Sequence, residues 1–227
     1  EIRTPLNAII GFSNLLVEAN DPEEKKEFVH IITSNNELLL QLINDIIDMA
    51  KIESGTLDFT YSDTDINQLM EDLCQQMKMK NTRPDSVKIE FVQRQSECII
   101  NTDSNRIMQI MINFMTNAMK FTEQGSITFG YKKSEKDIYF FVRDTGIGIP
   151  KDSLNLIFDR FYKTDLSRGK DKKGTGLGLS IAKEIIHSHG ENINVISTEG
   201  VGTEFIFTIA RAEDDDEDED EEDAVVS

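Results

Sequence analysis

Tryptophan is absent from these 227 residues, and cysteine, histidine and proline are scarce, with two, three and four copies. Cys74 and Cys98 stand far apart, with no Cys-x-x-Cys and no paired histidines, so the sequence offers neither a zinc site nor a disulfide framework and fits a reducing compartment. No run reaches the roughly 18 apolar residues of a membrane span, and no signal peptide is visible. A basic excess is also missing. The formal net charge is −18, most of it in an unbroken run of eleven acids at 213–223. With no basic face in the remainder, non-specific binding to nucleic acid or anionic lipid is not expected. The acidic run has too few apolar groups to offset ordering entropy, so residues 213–227 are expected to form a disordered tail. The first residue is not Met, and the chain is expected to be a fragment of something longer.

Apolar content is ample for a core, and the length suits two modest domains. Ile2, Leu6, Ile9, Phe12 (or Ile10), Leu16 and Ala19 form a helical stripe, which Pro5 either begins or kinks. Asp21 followed by Pro22 is an N-cap with proline at the first helical position. The second stripe runs through Phe28, Ile32 (or Ile31), Asn35, Leu39 (or Leu38), Leu42, Ile46 and Met49, spaced like a and d positions. A lone hairpin cannot cover so broad an apolar face, so a homodimer closing a four-helix bundle is expected for residues 1–54. Residues 55–63 read as a linker with a short extended piece at 56–60. Asp65 caps a helix to about Met79, strands are expected at 87–93 and 98–101, and a long helix begins at Asp103. Strands at 126–131 and 138–144, a short helix after Pro150, a helix over 176–189 and strands at 192–197 and 203–209 complete the pattern. The fold class is therefore α+β: a helical hairpin followed by an α/β sandwich over residues 64–212.

Three stretches carry chemistry. In Arg143-Asp144-Thr145-Gly146-Ile147-Gly148 an apolar strand ends in a lone carboxylate, and two glycines follow where the backbone must turn and lie close to something. A carboxylate so placed can accept a hydrogen bond from an exocyclic amine such as adenine N6, although the same residues also fit a plain strand and turn. Asn113, Asn117 and Lys120, spaced i, i+4 and i+7, put two amides and an ammonium on one helix face. Gly174-Thr175-Gly176-Leu177-Gly178 opens a helix whose N-terminal amides suit a phosphate chain. Between the last two glycine-bearing stretches, residues 163–173 are charged and without apolar periodicity, as in a mobile lid.

Taken in chain order, the boxes resemble those of the sensor histidine kinases, whose ATPase domain belongs to the superfamily shared with gyrase and the mismatch-repair ATPases. Glu1-Ile2-Arg3-Thr4-Pro5-Leu6-Asn7-Ala8-Ile9 resembles the family's phosphoacceptor box, and Ile157-Phe158-Asp159-Arg160-Phe161-Tyr162 its phenylalanine box. The resemblance covers residues 1 to about 210. It implies that Asp144 selects adenine, that Asn113 and Lys120 face the phosphates of ATP, that Gly146, Gly148 and the residues Gly174, Thr175, Gly176, Leu177 and Gly178 shape the base and phosphate pockets, and that Tyr162 is also ATP-binding. By the same resemblance Asn117 would coordinate Mg²⁺ through its amide oxygen, a hard ligand. Glu1 would support the acceptor histidine, and Thr4 would align water for removing phosphate from a response regulator, the implied partner.

One departure matters. In the family a histidine stands directly before that glutamate, and here the sequence begins at Glu1, so self-phosphorylation of residues 1–227 is not expected. His30, His187 and His189 are lone or at i, i+2, and poor substitutes. Two other classes stay open: an ATPase of the same superfamily working by conformational change, which would not need the Glu1 to Pro5 box, and a nucleotide-binding scaffold without kinase activity. A dinucleotide-binding Rossmann domain is the weakest rival, because Gly-x-Gly-x-Gly here follows a charged loop where that fold requires a strand. The expected setting is the cytoplasmic portion of a membrane-bound bacterial sensor.

Overall fold

The computed structural model describes residues 2–210 except 93, 94, 96, 135, 136 and 164–173. Glu1, nearly all of the expected lid and the whole acidic tail lie outside the described residues. The chain divides into two compact units, Glu1–Phe59 with Ile149–Ile185, and Thr60–Gly148 with Ile186–Ser227.

The first unit is built on a helical hairpin, α1 (Arg3–Glu18) and α2 (Pro22–Glu53). Helix α1 starts upstream of Pro5 without a side-chain cap, so the proline sits in the first turn, where its missing N–H costs nothing. Helix α2 opens as its sequence dictates: the Asp21 carboxylate accepts from the Glu23 N–H at 3.1 Å, and Pro22 is the first helical residue. The rings of Phe12 and Phe28 meet at 5.6 Å across the hairpin. The periodic stripe on α2 needs one correction. Leu42 and Met49 are buried, but Ile46 is 45 % exposed and the buried residue between them is Asp45. The reason is local, since Thr175 of the same unit occupies that face and needs an acceptor. Where a short helix was expected after Pro150, the chain makes one 3-10 turn, Lys151–Ser153, and continues in turns.

The second unit is an α/β layer. Strands β2 (Val87–Val92), β4 (Gly125–Lys133), β5 (Asp137–Asp144), β6 (Ile193–Thr198) and β7 (Gly202–Ala210) form a five-stranded sheet in the order β2-β4-β5-β7-β6. The sheet is mixed, because β2 runs parallel to β4 while every other pair is antiparallel. Strands β1 (Ser62–Asp65) and β3 (Ile99–Thr102) pair separately. The first strand therefore begins later than the extended piece expected at 56–60, where β3 can supply partners; Thr60 instead gives its N–H to Asp103 at 2.8 Å.

Helices α3 (Ile66–Lys80) and α4 (Ser104–Phe121) lie against the sheet and are capped by Asp65 and Asp103, each carboxylate accepting from two backbone amides. Every second residue of β5 and β7 faces that layer: Ile138, Phe140 and Val142 on one strand, Phe205, Phe207 and Ile209 on the other, all buried. Phe114 of α4 stacks on Phe205 at 4.8 Å, and Phe140 on Phe207 at 5.0 Å. Helix α5 (Gly178–Ser188), with Ile181, Ala182, Ile185 and Ile186 buried, completes the elements.

Leu40, Ile43 and Ile47 remain exposed on α2, on turns where a polar surface helix would carry charge. Ile43→Asp combined with Ile47→Asp is expected to convert a micromolar dimer to monomer in sedimentation velocity, since a charge in a bundle core is strongly disfavoured. A monomeric parent, or a substituted chain that still sediments as a dimer, would remove the bundle.

Candidate functional site

Strand alternation alone carries Asp144 to the inner face of its sheet. It shares the parity of Ile138, Phe140 and Val142, and it is the strand's last residue, 8 % exposed. The antiparallel register sets it opposite Thr203, the second residue of β7. Its carboxylate accepts the Gly146 N–H at 2.8 Å and the backbone N–H of Thr203. Burial pushes this carboxyl above the ordinary carboxylate range, and the two amide hydrogen bonds offset part of that rise. Thr203, also buried, shares a 2.9 Å hydroxyl hydrogen bond with Ser197 of β6.

Glycine is required around this carboxylate by neighbouring backbone. A Cβ on Gly146 would stand 2.5 Å from the Phe121 carbonyl oxygen, and one on Gly148, whose φ is +67, would stand 2.1 Å from that of Thr198. Between these contacts Ile147 donates its N–H to the Phe121 carbonyl at 3.2 Å and accepts that of Gly200 at 2.7 Å. The turn after Asp144 is thereby bonded to the end of α4 and to the β6–β7 turn.

Helix α4 brings the amide and ammonium groups to the same end of the unit. Phe114, Met115 and Ala118 are buried against the sheet, while Asn113, Asn117 and Lys120 follow one another along a half-buried stripe. The Lys120 ammonium lies 5.1 Å from the ring centroid of Phe121. Asn113, Asn117, Lys120, Asp144, Gly146 and Gly148 therefore belong to one unit, with α4 hydrogen-bonded to the loop that follows the carboxylate.

The remaining candidates belong to the first unit. Thr175 is 3 % exposed; its hydroxyl donates to Asp45 of α2 at 2.7 Å and accepts the Leu177 N–H at 3.1 Å. Asp45 is held above the ordinary range by burial, against which the Thr175 hydrogen bond acts, while the nearby Asp48 carboxylate adds to the rise. Gly176 has φ +72 and lies so close to Phe161 that a Cβ would approach its Cα to 2.9 Å; its carbonyl accepts the Phe161 N–H at 2.9 Å. Phe161 itself has a left-handed φ of 61, an uncommon conformation for an aromatic residue, held by that contact. Leu177 is buried, and its carbonyl takes the Ser180 hydroxyl at 2.8 Å as α5 begins. Tyr162 is half-buried and donates its hydroxyl to Ser153 at 3.1 Å. Glu53 and Arg160 form an ion pair. Thr4 is exposed in the first turn of α1.

Two residues escaped the sequence reading. Thr203 is marked only by the Gly200-Val201-Gly202 turn before it, and its relation to Asp144 needs the strand register. Asp45 had a clearer signal, an acid among the apolar residues of the α2 stripe, but its acceptor role depends on a loop 130 residues away.

Two family models match the chain. Residues 1–55 match the His Kinase A (phospho-acceptor) domain, and residues 102–213 match the histidine kinase-, DNA gyrase B- and HSP90-like ATPase. A hybrid signal transduction histidine kinase B of Dictyostelium discoideum is 35% identical over 92% of this chain and 11% of its own length. The sensor histidine kinase WalK of Bacillus subtilis is 32% identical over 92% of this chain and 35% of its own length. The chain thus spans only a minor part of these relatives. Among solved structures, full-length ShkA in complex with AMPPNP superposes with a TM-score of 0.73 at 29% identity, covering 92% of this chain and 44% of that one. The histidine kinase ThkA in complex with response regulator protein TrrA shares the fold, with a TM-score of 0.69 at 24% identity over 93% of this chain and 59% of that one.

Because the folded state holds the Asp144 proton more tightly than the unfolded chain does, the ionised carboxylate costs stability at neutral pH. That cost disappears as pH falls through the raised pKa. Asn at this position keeps one acceptor oxygen and lacks the charge. Asp144→Asn is therefore expected to melt at or above the parent temperature near neutral pH, with the difference shrinking on acidification. Urea melts over a pH series check this; a variant less stable than the parent at neutral pH would contradict it.

Proposed function

The chain belongs to the sensor histidine kinases, and on that premise we propose that it is the cytoplasmic catalytic core of a two-component sensor. It binds Mg·ATP, passes the γ-phosphoryl group to a histidine placed directly before Glu1, and transfers it from there to an aspartate of a response regulator, with phosphatase activity towards that regulator. The observation that carries the nucleotide part is Asp144: a buried carboxylate whose two backbone donors fix its orientation, at a strand end bonded to the helix that bears the polar stripe.

In this proposal Asp144 accepts the adenine amine, Gly146 and Gly148 set the backbone that shapes the base pocket, and Tyr162 is a further ATP-binding residue. Asn113 and Lys120 of α4 serve the phosphates, as do the residues Gly174 to Gly178 that lead into α5, with Thr175 and Leu177 holding that loop in shape. No cluster of three His, Cys, Asp or Glu that could hold a metal occurs among the described residues. A single amide such as that of Asn117 fits Mg²⁺, which keeps most of its waters and is held largely by substrate phosphates. When bound, the ion neutralises charge on the phosphate oxygens. The chain's own part is alignment. Glu1 holds the acceptor imidazole in the tautomer whose far nitrogen attacks, and Thr4 positions water for dephosphorylation.

Residues 1–54 serve as the dimerisation and phosphotransfer hairpin, 55–63 as linker, 64–212 as the ATP-binding domain and 213–227 as an acidic tail, with membrane attachment through parts of the longer protein. None of the described helices is long and apolar enough to cross a membrane.

Asp144→Asn is expected to lose Mg·ATP affinity by about tenfold or more in calorimetry, the worth of one buried charge-assisted hydrogen bond. Asn117→Ala should weaken Mg·ATP while sparing adenosine. With labelled ATP, residues 1–227 should bind nucleotide without forming acid-labile phosphohistidine, and a chain extended by a helix ending in His before Glu1 should form it. Absence of label in the extended chain would favour a scaffold or a conformational ATPase.

A further inference from the structure

Helix α4 ends where the proposed phosphate and metal groups are, and the last carbonyls of a helix have no partner within it. The Ala118 carbonyl is met by the Thr122 N–H at 3.0 Å, and that of Phe121 by the Ile147 N–H at 3.2 Å. The Met119 carbonyl accepts from the guanidinium of Arg83, which reaches it at 2.6 Å from the loop between α3 and β2. This donor is positively charged, so it satisfies an orphan acceptor and also opposes the negative end of the helix dipole.

The loop does not need this contact for its own shape. The Arg83 N–H donates to the Asn81 side chain at 2.9 Å, the Asn81 amide donates to the Val87 carbonyl at 2.8 Å, and the Arg83 carbonyl takes the N–H groups of Ser86 at 3.1 Å and Val87 at 2.9 Å. The loop is also tied to the sheet, since Gly125 donates its N–H to the Ser86 carbonyl at 2.9 Å. Arg83 thus extends a long side chain from a self-sufficient turn to the peptide between Met119 and Lys120. Its partly buried guanidinium is anchored at a place where a shift of the helix end moves the Lys120 backbone directly.

We propose that Arg83 is a positioning residue for the nucleotide's phosphates: by capping the Met119 carbonyl it holds the last turn of α4, and with it Asn117 and Lys120, in register with the loop that follows Asp144. Arg83 touches no substrate in this role; it acts through Lys120 and Asn117. The inference rests on the assignment of those two residues to Mg·ATP.

The test is calorimetric titration of the full chain with Mg·ATP and, separately, with adenosine, for the parent, Arg83→Met, Arg83→Lys, Lys120→Ala and the Arg83→Met, Lys120→Ala double variant. Arg83→Met should weaken Mg·ATP by roughly tenfold, as expected for loss of a charged donor to a partly buried carbonyl, and leave adenosine unchanged. Arg83→Lys should recover part of the affinity, because an ammonium can still donate to one carbonyl. The double variant should lose less than the sum of the two single losses, since part of the effect of Arg83 runs through Lys120. Unchanged Mg·ATP affinity in Arg83→Met, an additive double variant, or an equal loss for adenosine would each overturn the role of Arg83 while leaving the nucleotide site in place. A parent that binds no Mg·ATP would overturn the site itself and this role with it.

Discussion

Backbone packed directly on backbone at the end of β5 is the constraint on which the second unit depends. The Asp144 carbonyl lies where a Cβ of Gly202 would stand 2.0 Å away, just as the Phe121 carbonyl lies against Gly146 and that of Thr198 against Gly148. Strand end, helix end and the β6–β7 turn can converge only because three residues lack side chains. The convergence gives Asp144 two amide donors in a buried setting and so makes an ionised carboxylate tolerable there. It also explains why α4 stops at Phe121, whose carbonyl is taken up by Ile147 from the loop instead of by a further helical turn.

The glycines therefore bear on the site indirectly. A binding pocket lined by glycine is often read as room left for a ligand, yet in this protein the space at Gly146, Gly148 and Gly202 is occupied by protein backbone. Their contribution is to let three chain segments pack closely enough that the polar groups on them are held without side-chain freedom. Preorganisation of this kind suits phosphoryl transfer, where alignment and charge placement make up most of what a protein can supply.

In the first unit one helix meets two demands. The face of α2 with Leu42, Asp45 and Met49 is buried within the unit, and Asp45 holds the glycine-flanked Thr175, while Leu40, Ile43 and Ile47 remain outward. A carboxylate in the middle of an apolar stripe is unfavourable unless something donates to it, and the Thr175 hydroxyl does so at 2.7 Å. The pairing ties the conformation of the loop ahead of α5 to a residue of the hairpin. Phe161, with its left-handed φ, is bonded to the same loop through the Gly176 carbonyl.

Local chemistry was enough to determine a good deal from sequence. The caps at Asp21, Asp65 and Asp103 follow from side-chain acceptors next to helix-forming residues, and each is observed. The apolar run ending in Asp144 was legible as a strand, on which alternation alone gives Phe140, Val142 and Asp144 a common face, and the i, i+4, i+7 spacing placed Asn113, Asn117 and Lys120 on one stripe. These signals depend on periods of two and 3.6 residues, which a chain carries in its own order. Contacts decided by register and packing were not legible in that way. The pairing of Asp144 with Thr203, the exchange of Ile46 for Asp45 as the buried residue on α2, the late start of β1 and the reach of Arg83 to Met119 each join residues far apart in sequence. Nothing in either partner alone specifies the other, because a hydrogen bond between distant segments exists only once the strands and helices that carry them have found their places.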